Sequence, residues 1–352
     1  MQGNFVYIPG EDPATGELVT LGELQHDYLA DSFVLVRYAE PRICAIRPEF
    51  YKVVSRRQVT GFLTGTVTGP ASFRPCISRE AYLAAVARLK DHIQQGDIYE
   101  VNYCVRFTAN PAAVQPLALF RELCTVSKAP YRMLAKLGDE YILCASPELF
   151  LSKSGGRLRT KPIKGTISRG ADAPDDALRK TELSVSHKDR TENVMAVDVA
   201  RNDLSRVATR GSVAVEKLCQ IETFATVHQM VSTVTCTLRD KTSFSDILEA
   251  TFPMASMTGA PKRKAMELAG IHECFDRGPY SGTMGIIDRN GDFELPVLIR
   301  SLFYNTKLSE LWFATGGAIT HLSQPQEEYE ECLLKARTML NAANGTIGHP
   351  GA

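Results

Sequence analysis

Residues 132–152, "RMLAKLGDEYILCASPELFLS", read as two β-strands folded back on one another around a "GDE" turn. A short connection of that kind joins antiparallel strands, so the stretch argues against a strictly parallel sheet. Working outward, "YEVNYCVRF" (99–107) alternates like a strand with one buried face. Further strand-like runs follow at "FATVHQMVSTVTCTL" (224–238), "GTMGIID" (282–288), "LPVLIRSLFY" (295–304) and "LWFATGGAI" (311–319). Long helices are inserted between these runs instead of alternating with single strands. The expectation is an α+β fold with large, mostly antiparallel sheets.

The helices announce themselves by caps and period. In "ISREAYLAAVARLKDHIQQGD" (77–97) Ser78 can cap, Ile77 can staple onto Tyr82, and Tyr82, Val86, Leu89 and Ile93 follow helical spacing up to a stop at Gly96. A second helix is expected in "HKDRTENVMAVDVARNDLSRV" (187–207) and another in "MTGAPKRKAMELAG" (257–270), with Pro261 near its first position. A closing helix runs from Pro325 to about Asn344. The first 70 residues read as short strands and loops that end in the Gly/Pro/Ser cluster "GTVTGPASFRP" (65–75), which divides a short N-terminal section, 1–75, from a main domain, 76–345.

Composition narrows the function. The 352 residues carry 40 Lys and Arg against 40 Asp and Glu, so no long-range field favours nucleic acid or an anionic membrane. No apolar run is long enough to span a bilayer, and the N-terminus lacks the pattern of a secretory signal. The nine cysteines are odd in number, sit mostly in apolar surroundings and form no C-x-x-C. They read as free core thiols of a cytoplasmic protein. Phosphate-loop, zinc-protease and nucleophile-elbow signatures are absent, as is any glutamine amidotransferase nucleophile setting.

Several residues carry chemistry on their own terms. Lys164, in "KPIKGTISRG" (161–170), sits at the close of a strand where an ammonium costs several kcal/mol to desolvate unless it is paired or loses its proton. It is either a snorkelling surface residue or one kept for chemistry. In "SQPQEEYEECLLKA" (323–336), Glu328, Glu331 and Lys335 share a helix face, a suitable hard-oxygen site for Mg²⁺ that also fits plain complementation of the helix dipole. Glu192, taken alone, reads as a solvated or paired acid, and His228 as a satisfied strand histidine. Arg300 needs an anion if it is buried and otherwise ends its strand at the surface.

Taken in order, "GDIYEVN", "ASPELF", "PIKGT", "KDRTENVMAVDVARNDL", "HQMVSTV", "PMASMTGAPK", "RGPYSGTMG" and "GGAITHLSQPQEEYEECLLKA" resemble the chorismate-utilising enzymes over roughly residues 78–342. That family comprises the anthranilate synthase large subunit, aminodeoxychorismate synthase component I, and the isochorismate and salicylate synthases. The resemblance implies an α/β sandwich of two large antiparallel-rich sheets with helices outside and the active site between the sheets. It implies Mg²⁺ near Glu192, Glu328 and Glu331. Glu148 matches the general acid, His228 a catalytic position near the substrate ring, and Thr258 a substrate contact near that ring. Tyr280, Arg300 and Lys335, with the backbone at Gly316 and Gly317, match contacts to the carboxylates of chorismate.

Lysine in P-I-K-G-T is similar to the members that aminate chorismate at C4, where anthranilate synthases typically have alanine. The role implied for Lys164 is attack on C2 as the C4 hydroxyl leaves, followed by ammonia at C4. Such a nucleophile is expected to have a lowered pKa. Glu100 departs from the pattern, since water-using members carry lysine there and ammonia-using members usually glutamine. It is expected to help place ammonia. A separate glutamine amidotransferase subunit is the implied ammonia source, and aromatisation is expected to fall to another lyase, since no further domain follows residue 352.

Overall fold

In the computed structural model the described residues are 71–348 except 226 and 289, with four earlier segments, 5–9, 15–22, 32–38 and 49–60; before residue 71, side chains are described only at 34–38. Most of the cluster read as a domain boundary, up to residue 70, lies outside the described residues. The first strands are β1 (Phe5–Pro9), β2 (Thr15–Gly22), β3 (Ser32–Val36), β4 (Glu49–Thr60) and β5 (Ala71–Pro75). Then come α1 (Arg79–Gln94), β6 (Glu100–Ala109), α2 (Pro116–Ser127), β7 (Tyr131–Leu137), β8 (Glu140–Ser146), β9 (Leu149–Ser154), β10 (Arg157–Thr160) and β11 (Ile163–Ser168). Helices α3 (Ala173–Val185) and α4 (His187–Ser205) precede β12 (Ala214–Thr223), β13 (Val227–Thr237) and α5 (Phe244–Thr251). A 3₁₀ turn, Ala255–Met257, leads to β14 (Gly259–Ala260) and α6 (Lys262–His272). The chain ends with β15 (Thr283–Ile287), β16 (Phe293–Pro296), β17 (Ser301–Asn305), β18 (Glu310–Ile319), α7 (Pro325–Ala342) and β19 (Gly345–Ile347).

The hairpin at 131–146 sets the first leaf. Strands pair in the order β2–β1–β7–β8–β17–β18–β6–β5, all antiparallel. The second leaf runs β3–β15–β16–β9–β10–β13–β12, also antiparallel, with β11 continuing beside β13. Strand β4 pairs with both β2 and β3 and so joins the leaves at one edge. β19 on β5 is a parallel pair.

Side-chain alternation explains the apolar density of the hairpin. Met133, Ala135, Ile142 and Cys144 point into a core shared with the second leaf and with α4 and α5, whereas Leu134 and Leu143 belong to a core under the outer helices. Both faces of the first leaf are therefore covered. The expectation of one buried face for 99–107 is corrected accordingly: Tyr103, Val105 and Phe107 pack against the outer-helix core while Cys104 faces the inner one. Period 2 cannot reveal a second layer of helices.

Ser78 accepts a hydrogen bond from the Ala81 amide at 3.2 Å and caps α1, which ends just before Gly96 at φ 83°. Pro261 is the N-cap of α6, one position earlier than expected. The cysteine expectation needs correcting as well. Cys76 and Cys274, both exposed, form a disulfide across 198 residues that ties the entry to α1 to the segment following α6. Spacing that long leaves no mark in sequence. Cys104, Cys124, Cys144, Cys219, Cys236 and Cys332 are free and buried. Among the described residues no helix is long and apolar enough to cross a membrane.

Candidate active site

Strand β11 does not run regularly along β13: its register shifts between Ile163 and Thr166. Gly165 absorbs the irregularity at φ 86°, and a Cβ there would lie 2.7 Å from the Cβ of Asp189, so α4 seats directly on this glycine. The residue before it, Lys164, is held inward and is 8% exposed. Its Nζ donates to Oε1 of Glu100 at 2.6 Å. Glu100 opens β6, where it pairs with Ala260 of β14, and is 2% exposed.

Burial pulls the Lys164 pKa down, but Glu100, Glu192 and Glu148 together outweigh it, and the net shift is upward. The sequence-based expectation of a lowered pKa is therefore reversed at rest: Lys164 is an ammonium clamped by carboxylates. Glu148, at the β8–β9 turn, is 5% exposed; burial raises its pKa to about 7, against the opposing pull of the Ser256 hydroxyl, Lys164 and Lys335. It therefore holds a proton through much of the neutral range. Its backbone is fixed on both sides, by Ser146 Oγ at its amide (3.2 Å) and by the Val297 amide at its carbonyl (3.0 Å).

Helices α4 and α7 bring three further acids. Glu328, in the first turn of α7, is 1% exposed, and its Oε1 accepts from Lys188 of α4 at 2.9 Å. Glu331, one turn on, accepts from Lys335 at 2.6 Å, and that cation, first among several, lowers its pKa. Glu192 is not the solvated acid it resembled in isolation: it is 7% exposed, its Oε1 has no hydrogen-bond partner, and burial raises its pKa to about 7. Gly317 leaves room where Glu328, Glu331 and Lys335 meet. From the place a Cβ would occupy, Glu328 Oε2 is 3.3 Å away, Lys335 Nζ 3.7 Å and Glu331 Oε1 3.8 Å. Gly316 meets a tighter limit, because a Cβ there would press on the Tyr103 carbonyl at 2.2 Å. Lys335 also donates to the Gly316 carbonyl at 2.8 Å.

The remaining expected residues divide. Arg300 neither meets an anion nor ends a strand at the surface; at φ 51° it turns its guanidinium onto α7, donating to the Lys335 carbonyl at 2.8 Å. Tyr280 is buried and its hydroxyl donates to Cys104 Sγ at 3.7 Å. Thr258 closes the 3₁₀ turn through Met254 O at 3.1 Å, and its carbonyl accepts from the Asn102 amide at 2.7 Å, fixing the start of β6 beside Glu100. His228 is buried with both ring nitrogens engaged, Nε2 with Asp176 Oδ1 and Nδ1 with Thr223 Oγ1, each at 3.0 Å. That is the satisfied strand histidine read from the sequence, with no ring nitrogen spare.

Three contributors escaped the sequence reading. Lys188 pairs with Glu328, as described. Arg277, fully buried, clamps Glu273 through two bonds of 2.8 and 2.6 Å and donates to the carbonyls of Asn102 and Met257. Asp203 of α4 accepts from Lys262 at the start of α6 at 2.5 Å. Lys188 and Asp203 lie inside a quoted motif, but their partners sit on distant elements.

The sequence matches the family described as chorismate binding enzyme over residues 18–341. It is 40% identical over 275 residues to an aminodeoxychorismate synthase from Streptomyces griseus, covering 78% of this chain and 37% of that one. It is 37% identical over 281 residues to anthranilate synthase component 1 from Haloarcula marismortui, covering 80% of this chain and 57% of that one. The chain thus spans less than two thirds of the length of either relative. Among solved structures, anthranilate synthase component I from Streptococcus pneumoniae superposes with a TM-score of 0.76 at 24% identity, over 90% of this chain and 82% of that one, a likeness of fold.

Proposed function

Because the chain belongs to the chorismate binding enzyme family, we propose that it aminates chorismate at C4, giving 4-amino-4-deoxychorismate, with Lys164 as a transient nucleophile. The observation that carries this reading is a lysine and a proton-bearing carboxyl, Lys164 and Glu148, buried in one electrostatically coupled site. A buried ammonium is costly unless it is paired, and Lys164 is paired with Glu100 at 2.6 Å.

Glu100 takes a proton from the Lys164 ammonium and leaves a free amine. That amine attacks C2; the C4–O bond breaks, and Glu148 gives its proton to the departing hydroxyl, releasing water. Ammonia then attacks C4, the C2–N bond breaks, and Lys164 leaves as an amine that recovers its proton from Glu100. The new C4 ammonium loses one proton, so the sum is chorismate plus ammonia giving aminodeoxychorismate plus water.

Mg²⁺ would take the remaining acids, which must draw together to bind it, since among the described residues no three His, Cys, Asp or Glu side chains are grouped for a metal. Glu192 has a buried oxygen without a partner, and Glu328 and Glu331 converge over Gly317, so these three would hold the ion. Bound there, it would supply positive charge for a substrate carboxylate. Arg300, Lys335 and the Gly316–Gly317 backbone would grip the carboxylates of chorismate, Arg300 after leaving the Lys335 carbonyl it now contacts. Ammonia would come from a separate glutamine amidotransferase subunit, with both working in the cytoplasm.

Attack at C2, as an anthranilate synthase would carry out, is the competing reading, and relatives of that name stand at 37% identity. Product analysis with chorismate, Mg²⁺ and ammonium separates the two: the C4-amino product supports the proposal and anthranilate contradicts it.

A further inference from the structure

Glu148 lines a cavity of about 20 Å³ whose wall is mostly apolar and whose other polar residues are Thr160, Asp203, Thr251 and Ser256. A buried water needs about 10–15 Å³ and two to four polar partners. The Ser256 hydroxyl on this wall is buried beside the Glu148 carboxyl, whose pKa it lowers as a hydrogen-bonding neighbour, and it closes no other hydrogen bond, so a water in the cavity meets both groups. Beyond it stands the Asp203–Lys262 pair, 2.5 Å apart, with Lys262 also donating to the Thr251 carbonyl at 3.1 Å. The Lys262 side chain is 19% exposed, so the pair reaches solvent, which Glu148 at 5% scarcely does.

We propose that a water held by Ser256 in this cavity joins Glu148 to the Asp203–Lys262 pair, and that the pair returns a proton to Glu148 after each turnover. The inference rests on the reading of Glu148 as the acid. Having protonated the leaving hydroxyl, Glu148 is a carboxylate sealed from bulk solvent. The cavity water gives it a proton and takes one from Asp203, which takes one from the Lys262 ammonium; Lys262 is recharged from solvent. Every group returns to its starting state. Burial raises the Asp203 pKa to about 6 against the pull of Lys262, and burial lowers that of Lys262, so the two are drawn toward sharing a proton.

The test is single- and multiple-turnover kinetics with chorismate, Mg²⁺ and ammonium, using Asp203→Asn combined with Lys262→Gln, which leaves no unpaired charge. At pH 6, below the Glu148 pKa of about 7, Glu148 begins protonated, so the first turnover proceeds at the wild-type rate. Later turnovers slow by about 10-fold or more, with an unchanged KM for chorismate and a steady rate that rises with imidazolium concentration. Ser256→Ala, which leaves the ion pair intact, shows the same burst with a smaller slowing. A purely structural role predicts instead an equal fall in both rates and no buffer dependence, and that result, or wild-type steady-state rates in both variants, overturns the relay. Failure of the wild-type protein to turn over chorismate at all would remove the reading of Glu148 as an acid and the relay with it.

Discussion

Lys164 Nζ lies 2.6 Å from Glu100 Oε1, with the two side chains 8% and 3% exposed. On the proposed mechanism the nucleophile is stored as half of a buried ion pair, and Glu100, which raises the Lys164 pKa, is also the acceptor its Nζ contacts.

Replacing Glu100 by Ala removes the largest upward influence on Lys164 and leaves burial to pull its pKa down, against Glu192 and Glu148 alone. The amine is then free at lower pH but has lost its proton acceptor. Ammonia-dependent turnover is expected to fall by about 10²-fold near neutral pH. In the same variant, the pH midpoint for modification of Lys164 by a small amine-directed reagent, followed by peptide mass analysis, moves downward. An unmoved midpoint would show that Glu100 does not control the lysine.

Glu148 gives a stability signature with a definite sign. Its folded pKa of about 7 lies above the ordinary 4.5, so between those values the folded protein binds more protons than the unfolded chain. Its contribution to stability is therefore full below pH 4.5 and declines as pH rises toward 7, by about 3 kcal/mol in all. Glu148→Gln abolishes that decline, so urea midpoints of variant and wild type diverge in the variant's favour above pH 7 and converge near pH 4.5. Glu192, also raised to about 7, adds its own slope to both proteins and cancels from the difference. Activity of the variant should drop by about 10²- to 10⁴-fold, as for loss of a general acid.

The site was legible in the sequence to the extent that its residues lie in local motifs. Ser78, Gly96 and the acids of α7 announce their helices within a few positions, and the hairpin at 131–146 announces its turn. What was not legible is long-range pairing. Nothing near Glu192 tells that α4 is laid against β11 and β13 with that carboxylate turned inward. Nothing near Lys188, Asp203 or Cys76 names a partner that is 140, 59 or 198 residues distant. Helix α3 is another such case: Leu183 is its one buried residue, so it has almost no apolar stripe to read.

The Cys76–Cys274 bridge closes a loop of 198 residues, for which chain entropy predicts a contribution of about 5 kcal/mol. Cys76→Ser, or treatment of the wild type with a thiol reductant, should lower the urea midpoint by a matching amount. Equal midpoints with and without reductant would mean that the bridge adds no stability.

The most direct test of the central claim is mass-resolved product analysis of the purified chain with chorismate, Mg²⁺ and high ammonium, wild type against Lys164→Ala. The account predicts 4-amino-4-deoxychorismate from the wild type, and its loss or diversion to the C2-amino product in the variant. Anthranilate from the wild type, or an unchanged C4 product from Lys164→Ala, would contradict it.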